Sequence, residues 1–536
     1  MTGRDRMPRL LLLAGVLLGT YLRLRDVAGA FLFGDEFHSL RHLRLGFAAA
    51  ATTFEPNGSG LALPLLQGAL AAVLGANHWS LRLPAAAGSV GALLLVHPAV
   101  RRTVGGSAAL AATLLVAVNG LLVFYGHFGR AYALASALTL VLLWSCARLL
   151  DAPRARDFAY FALATALLPW VHLATLAIVG GVVAGATLAL LADPARRRRL
   201  AGLAAATLGG GAGAALLYAP AWESTMAFVH RKTEEEQYYG RFAAGDVLVL
   251  VAGHWTLALA LAVAAALGAL VLLRRRRADA LPLLLSALAP WVALWAARPF
   301  GDPYAYARYV LPAVAPLLVL AGVAIAALAR HLAPGRNGVA AAVAAATAAG
   351  VLLRGPLGIG HRADGPYANV YLGMLPLPPF DAPSPDTPAF YRALADAGPV
   401  TLIETPALMN RSRHLYRDYY LQHGQRTLLG FLPEEIDDPP AGPYVTLAAP
   451  AAALAARADF LVVHRDAAAE VARYWRFVFG LAAAGGAPGE RAVLERQRQY
   501  GWVAQPRPEL IARLERELGA PAYADRDLLV WDLRRR

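Results

Sequence analysis

Three short stretches of this chain carry side chains whose type and spacing could do chemistry. The first reads Phe33-Gly34-Asp35-Glu36-Phe37-His38-Ser39-Leu40, just beyond an apolar run from Leu10 to Leu22. It sets two adjacent carboxylates beside a histidine. At a membrane edge the low dielectric raises a carboxylate's pKa and its basicity, so Asp35 or Glu36 could take a proton from a hydroxyl. The same pair also suits a helix N-terminus, where acidic residues favour the dipole. The second stretch, Tyr125-Gly126-His127-Phe128-Gly129-Arg130-Ala131-Tyr132-Ala133-Leu134, and the third, Tyr304-Ala305-Tyr306-Ala307-Arg308-Tyr309-Val310-Leu311-Pro312, each place an arginine among aromatics. A guanidinium held there can bind phosphate through two parallel hydrogen bonds. It can also snorkel to the interface or sit in an aromatic belt. His172, in Pro169-Trp170-Val171-His172, is a fourth candidate, as a ligand contact or as a satisfied structural group. Taken together these groups suit a substrate with an anionic head and an apolar tail.

The elements that would position them are membrane helices. Of the 536 residues 58% are hydrophobic and 16% charged, against ~25% charged in soluble domains. Mean hydropathy is +0.46. This excludes disorder, coiled coil and collagen. The net charge of +14 does not indicate nucleic acid, because of where it lies. Residues 1–354 hold 30 basic against 15 acidic side chains, and residues 355–536 hold 20 against 21. The excess sits in short loops between apolar runs, as the positive-inside rule expects. The single cysteine, Cys146, allows neither an intrachain disulfide nor a cysteine-based metal site.

After the first run, which reads as an uncleaved helix more than as a signal peptide, apolar segments fall at 61–76, 84–100, 107–124, 131–148, 157–171, 172–192, 200–220, 246–273, 280–297, 309–329 and 337–353. The basic loops at Arg101-Arg102, Arg148 to Arg156, Arg196 to Arg199 and Arg274 to Arg277 are assigned to the cytoplasm. Parity then requires that one of the segments 61–76 and 84–100 not cross. The shorter, which contains Pro64, is expected to dip or lie at the interface. The expected architecture is mainly α, with about 11–13 transmembrane helices over residues 1–354. A Pro/Gly-rich linker over 355–385 and a smaller α/β domain over 386–536, on the extracytoplasmic side, follow. Strands are expected at Val400 to Glu404, Phe460 to Val463 and Leu528 to Trp531, and helices at Ala389 to Ala397, Ala467 to Phe479 and Pro508 to Leu518. There is no Gly-rich phosphate loop and no internal repeat.

The order of the motifs resembles that of the GT-C glycosyltransferases that use polyprenyl-phosphate sugars, in particular the bacterial branch related to protein O-mannosyltransferases and lipid-A glycosyl and aminoarabinose transferases. Gly34-Asp35-Glu36 resembles the family's first-loop acidic motif. Trp79-Ser80-Leu81-Arg82-Leu83-Pro84 resembles its Arg-Leu-Pro, Gly126 to Leu134 its second outer loop, and Arg308-Tyr309-Val310-Leu311-Pro312 its Arg-Tyr-Leu-Leu-Pro. His172 matches a histidine often found after the sixth or seventh segment. The chain departs from the pattern at Phe128, where the family often has glutamate, and it has no Asp-X-Asp in the first loop.

The resemblance implies a multi-pass enzyme of the bacterial plasma membrane. It would transfer a sugar from a polyprenyl-phosphate donor to a hydroxyl of a glycan, lipid or protein acceptor, with inversion. It implies Asp35 as general base with Glu36 orienting it. Arg130 and Arg308 would stabilise the departing lipid phosphate, and His38, His172, Tyr309 and Arg82 would supply further contacts. No cofactor is expected, and no residue set supports a divalent metal. A transporter or flippase of lipid-linked sugars would need charges deep inside spans, and few are found there. A non-catalytic membrane scaffold is the third class.

Overall fold

The computed structural model describes residues 6–25, 27, 31–32, 36–44, 46–54, 60–234, 244–275, 278–297, 303–334, 336–355, 357, 384–407, 413–433, 443–483 and 508–535. Asp35, the loop around Arg298 and most of the Pro/Gly-rich stretch lie outside them. The chain divides into two compact units. The first comprises Met1–Val27 and Asp35–Arg362, and the second Ala28–Gly34 and Ala363–Arg536.

The first unit is helical throughout its described residues. In chain order its helices are α1 (Arg6–Leu24), α2 (Glu36–Arg44), α3 (Gly46–Thr52), α4 (Ala62–Leu74), α5 (His78–Val104), α6 (Gly106–Val118), α7 (Gly120–His127), α8 (Tyr132–Asp151), α9 (Ala155–Val171), α10 (Leu176–Leu191), α11 (Leu200–Tyr218), α12 (Trp222–Glu234), α13 (Ala244–Ala252), α14 (Trp255–Arg274), α15 (Leu281–Ala297), α16 (Pro303–Leu332) and α17 (Asn337–Arg354). Among the described residues, eight helical stretches are long and apolar enough to cross a membrane, and nine if the bent pair α6–α7 is one span. The 11–13 expected from hydropathy is larger because some apolar segments fold into short helices. The stretch 61–76 forms the 13-residue α4, about 20 Å long at 1.5 Å per residue against a ~30 Å hydrocarbon core. That length agrees with a segment that dips rather than crosses.

Where hydropathy predicts one helix over 107–124, the chain turns through 54° between α6 and α7. Asn119 makes the break. Its side chain accepts the Leu122 N–H at 3.0 Å and donates to the Val251 carbonyl at 2.8 Å. Ending α6 in apolar surroundings strands carbonyls that no water can reach. Arg23, at the end of α1 and 1% exposed, supplies the missing donors. It donates to the carbonyls of Val116 at 2.7 Å and Ala117 at 3.0 Å, and to the Ser89 hydroxyl at 2.9 Å. A cation at a helix C-terminus is also favoured by the dipole. Gly19 lets α1 come this close, because a Cβ there would lie 2.7 Å from Leu93 and 2.9 Å from Ala117.

The basic loops gather at one end of this bundle. Arg102 of α5 pairs with Asp151 of α8 at 3.3 Å, and Arg196 with Asp279 at 2.6 Å. Arg199 donates to the Leu150 carbonyl at 2.7 Å.

The second unit is an α/β fold. Its elements are α18 (Ala389–Leu394), β1 (Thr401–Thr405), α19 (Arg413–His423), β2 (Arg426–Phe431), β3 (Tyr444–Thr446), α20 (Ala451–Ala455), β4 (Phe460–His464), α21 (Ala467–Ala483), α22 (Pro508–Leu518), β5 (Tyr523–Ala524) and β6 (Leu528–Asp532). The strands order as β3-β2-β1-β4-β6-β5. β1 pairs in parallel with β2 and β4, and β6 closes antiparallel on β4. Leu510, Leu514 and Leu518, one helical face at four-residue spacing, seat α22 on a core with Ile403, Leu461, Val463 and Trp531. Phe31 and Leu32 belong to this unit. The Leu32 N–H donates to the Tyr444 hydroxyl, and the Phe31 ring lies 5.8 Å from that of Tyr444.

Candidate active site

The candidate residues of the first unit collect at the end of the bundle away from the basic loops. Arg82 and Arg102 stand 20 residues apart on α5, about 30 Å along the axis. Arg308 and Arg330 are similarly separated on α16.

Glu36 opens α2 and is 1% exposed. Its carboxylate accepts two bonds from Arg82, Nε to Oε1 at 2.7 Å and Nη2 to Oε2 at 2.8 Å. It accepts a third from the Gly129 N–H at 2.8 Å. Arg82, 2% exposed, donates as well to the Val27 carbonyl at 2.8 Å. Two charges are out of water here, but each is bonded, and that satisfaction is what makes such burial tolerable. Glu36 and Arg82 thus hold one another and the second loop.

Gly129 is held from its other side too. Its carbonyl accepts from the Ser39 hydroxyl at 3.0 Å and from the Gln67 amide at 3.1 Å, and Gln67 also donates to the Leu81 carbonyl at 2.6 Å. A Cβ on Gly129 would lie 2.9 Å from the Leu81 oxygen and 3.1 Å from Glu36 Oε1, so glycine is required by space. Phe128 is buried against Phe124 and Tyr125, at ring separations of 5.1 and 5.6 Å. The residue standing in place of the expected glutamate is a packing group. With Phe128 and Gly129 both held, Arg130 follows a fixed stretch of the loop and is itself 5% exposed.

His172 links the three helix ends. Its ring lies 4.9 Å from Tyr132 and 5.8 Å from Tyr309, and the Arg308 guanidinium stands 5.4 Å from the Tyr309 ring centre. Its Nδ1 accepts the Ala174 N–H at 3.1 Å, capping the turn that follows. The imidazole is therefore neutral, with Nε2 carrying its hydrogen. The Arg130 and Arg308 guanidiniums both stand near enough for their charges to act on the ring. Arg130, Arg308, Tyr309, Tyr132 and His172 come together in one place. His38 lies close enough to His42 for its charge to help lower the His42 pKa, after burial and Arg130.

Hydropathy and motif order did not mark Arg23, Gln67 or His42. The signal for Arg23 was present in a weak form, as an arginine at the end of an otherwise uninterrupted apolar run. His42 and Ser39 repeat the spacing of Glu36 at three-residue intervals on α2, a face that only the structure shows to be buried. Among the described residues, no three His, Cys, Asp or Glu side chains are grouped to hold a metal ion.

No protein-family model matches the chain, and no curated protein matches its sequence. Solved structures do resemble it. ArnT from Cupriavidus metallidurans in the apo state aligns at 16% identity and TM-score 0.47, over 98% of this chain and 97% of its own. The same protein bound to undecaprenyl phosphate aligns at 14% identity and TM-score 0.47, with the same shares covered. The oligosaccharyltransferase of Archaeoglobus fulgidus in its apo form aligns at 14% identity and TM-score 0.47, over 89% of this chain and 72% of its own. Likeness at this level carries no function across.

Proposed function

We propose that the protein is a membrane glycosyltransferase that moves one sugar from a polyprenyl-phosphate donor to an acceptor hydroxyl at the extracytoplasmic face, with inversion at the anomeric carbon. The observation that carries this reading is the convergence of Arg130 and Arg308 on neutral His172, beside Tyr132 and Tyr309. Two guanidiniums and ring edges at the rim of an apolar bundle suit a phosphate whose lipid tail lies along the helices. The basic loops at the opposite end suit the cytoplasm, which would put this site on the other side.

In the reaction, Asp35 takes the proton of the acceptor hydroxyl as its oxygen attacks the anomeric carbon. The bond from that carbon to the lipid-phosphate oxygen breaks, and the electron pair leaves on the phosphate. Arg130 and Arg308 stabilise the developing charge, an effect that costs ~10²–10³ in turnover when one donor is removed from comparable sites. Glu36 acts one step away. Through Arg82 and the Gly129 N–H it sets the loop that presents Arg130. His38, His172 and Tyr309 line the donor's path.

The test is transfer from a labelled polyprenyl-phosphate sugar by the purified protein in liposomes. Asp35→Asn should abolish transfer while the protein remains folded by its melting curve. Wild-type turnover in that variant removes Asp35 from the base role.

A further inference from the structure

One face of α2 lies against the second loop at Gly129. Glu36, Ser39 and His42 follow at three-residue intervals and are 1%, 2% and 3% exposed. The first two hold the two ends of the Gly129 peptide, Glu36 its N–H and Ser39 its carbonyl. One turn further on stands His42, near enough to the next residue of that loop, Arg130, for the arginine's charge to act on it together with that of His38. Its Nε2 is buried and has no hydrogen-bond partner among the described residues. Buried polar atoms are as a rule bonded. A ring nitrogen left empty beside a guanidinium, at the end of a row whose other members are all satisfied, is one that a ligand completes.

We propose that His42 is a substrate-contacting residue, its Nε2 hydrogen-bonded to the same phosphate group of the lipid-linked donor that Arg130 pairs with. The proposal rests on the glycosyl-transfer reading of this site. Arg130 supplies the charge. Burial first, then Arg130 and His38, lowers the His42 pKa to about 4, so the imidazole is neutral when it binds and adds direction rather than charge. The bond places the phosphate along the α2 face and so orients the sugar relative to Asp35, which precedes α2 in the chain.

The full-length protein in detergent, with a short polyprenyl phosphate and the polyprenol of equal chain length as probes, separates this proposal from the reading beneath it. The wild type should bind the phosphate more tightly than the alcohol. No preference would overturn the donor class, and with it the role of His42. Given the preference, His42→Leu should weaken phosphate binding about tenfold, roughly 1.4 kcal/mol, leave polyprenol binding unchanged, and melt with the wild type. His42→Gln, whose amide nitrogen reaches the position of Nε2, should bind within about threefold of wild type by the same scale. Phosphate binding by His42→Leu equal to wild type, or by His42→Gln as weak as His42→Leu, would overturn the proposal. If His42→Leu does not fold, the Gln and Asn variants carry the test. Asn reaches only the position of Nδ1 and should bind the phosphate about tenfold more weakly than the wild type, roughly 1.4 kcal/mol, whereas equal binding by Asn and Gln contradicts the assignment.

Discussion

Glu36 and Arg82, 46 residues apart in sequence, meet through two parallel hydrogen bonds of 2.7 and 2.8 Å in a place where neither side chain sees water. The second loop hangs from this pair through the Gly129 N–H. The pair therefore joins the first acidic motif, the Arg-Leu-Pro motif and the loop that carries Arg130.

Breaking one side of that pair should be severe. Glu36→Gln leaves a guanidinium buried without its counter-charge, a change that costs about 3–5 kcal/mol. A large drop in melting temperature is expected, with transfer lost in parallel. Arg82→Lys should not restore either property, since an ammonium cannot make the two-pronged contact. A melting curve like that of wild type for either variant would contradict the structural role.

Gly129→Ala is the finer probe. The new methyl meets the Leu81 backbone oxygen at 2.9 Å, which cannot swing away as a side chain would. The loop must shift, and displacement of a catalytic group by about 1 Å can cost ~10²-fold in rate. Turnover should fall by that order with the helices intact by circular dichroism. An unchanged rate would show that Arg130 does not depend on the placement of this peptide.

Arg308→Ala should raise the KM for donor more than that for acceptor, and lower turnover by ~10²-fold or more. Equal effects on both substrates would mark Arg308 as an interfacial anchor.

Arg23→Met tests the broken helix. It strips donors from the Val116 and Ala117 carbonyls in apolar surroundings, where hydrogen bonds to a charged group contribute about 1.5–3 kcal/mol each. Melting temperature should fall, and Arg23→Lys should recover part of the loss. If Arg23→Met melts with the wild type, the carbonyls at the end of α6 have another source of donors.

The pH dependence of stability offers an independent check on the second unit. Burial opposes a charge on His464, but Glu470 at 3.0 Å outweighs it, and the pKa lies above the ordinary 6.5. The folded state thus keeps a proton that the unfolded chain releases first. The stabilisation is full below about pH 6.5 and is lost as pH rises through the higher folded value. The difference in melting temperature between wild type and His464→Gln should shrink as pH rises from 6 to 9. A difference that does not change with pH would contradict the ion pair.

The long apolar helices were legible because hydropathy averages over a span, and α22 was legible because Leu510, Leu514 and Leu518 repeat at the helical period. The bend at Asn119 was not. Its flanks are uniformly apolar, and the group that permits it, Arg23, comes from a helix about 90 residues earlier, a separation no local pattern encodes. Helix α19 was missed because Arg413–His423 is mostly polar, and β3 because three residues carry no period. At the site, residue types pointed to Arg130, Arg308 and His172. The partner of Glu36 and the clamp on Gly129 depend on contacts across distant helices, so the role of Glu36 as an anchor could not be read from its neighbours in sequence.

The most direct measurement uses proteoliposomes holding the purified protein, a polyprenyl-phosphate sugar labelled in the sugar, and a cell-envelope acceptor fraction. Wild-type protein should release unlabelled polyprenyl phosphate in step with label appearing on acceptor, and Arg130→Ala should lose both together. Movement of intact donor across the bilayer with no release of lipid phosphate would contradict the account.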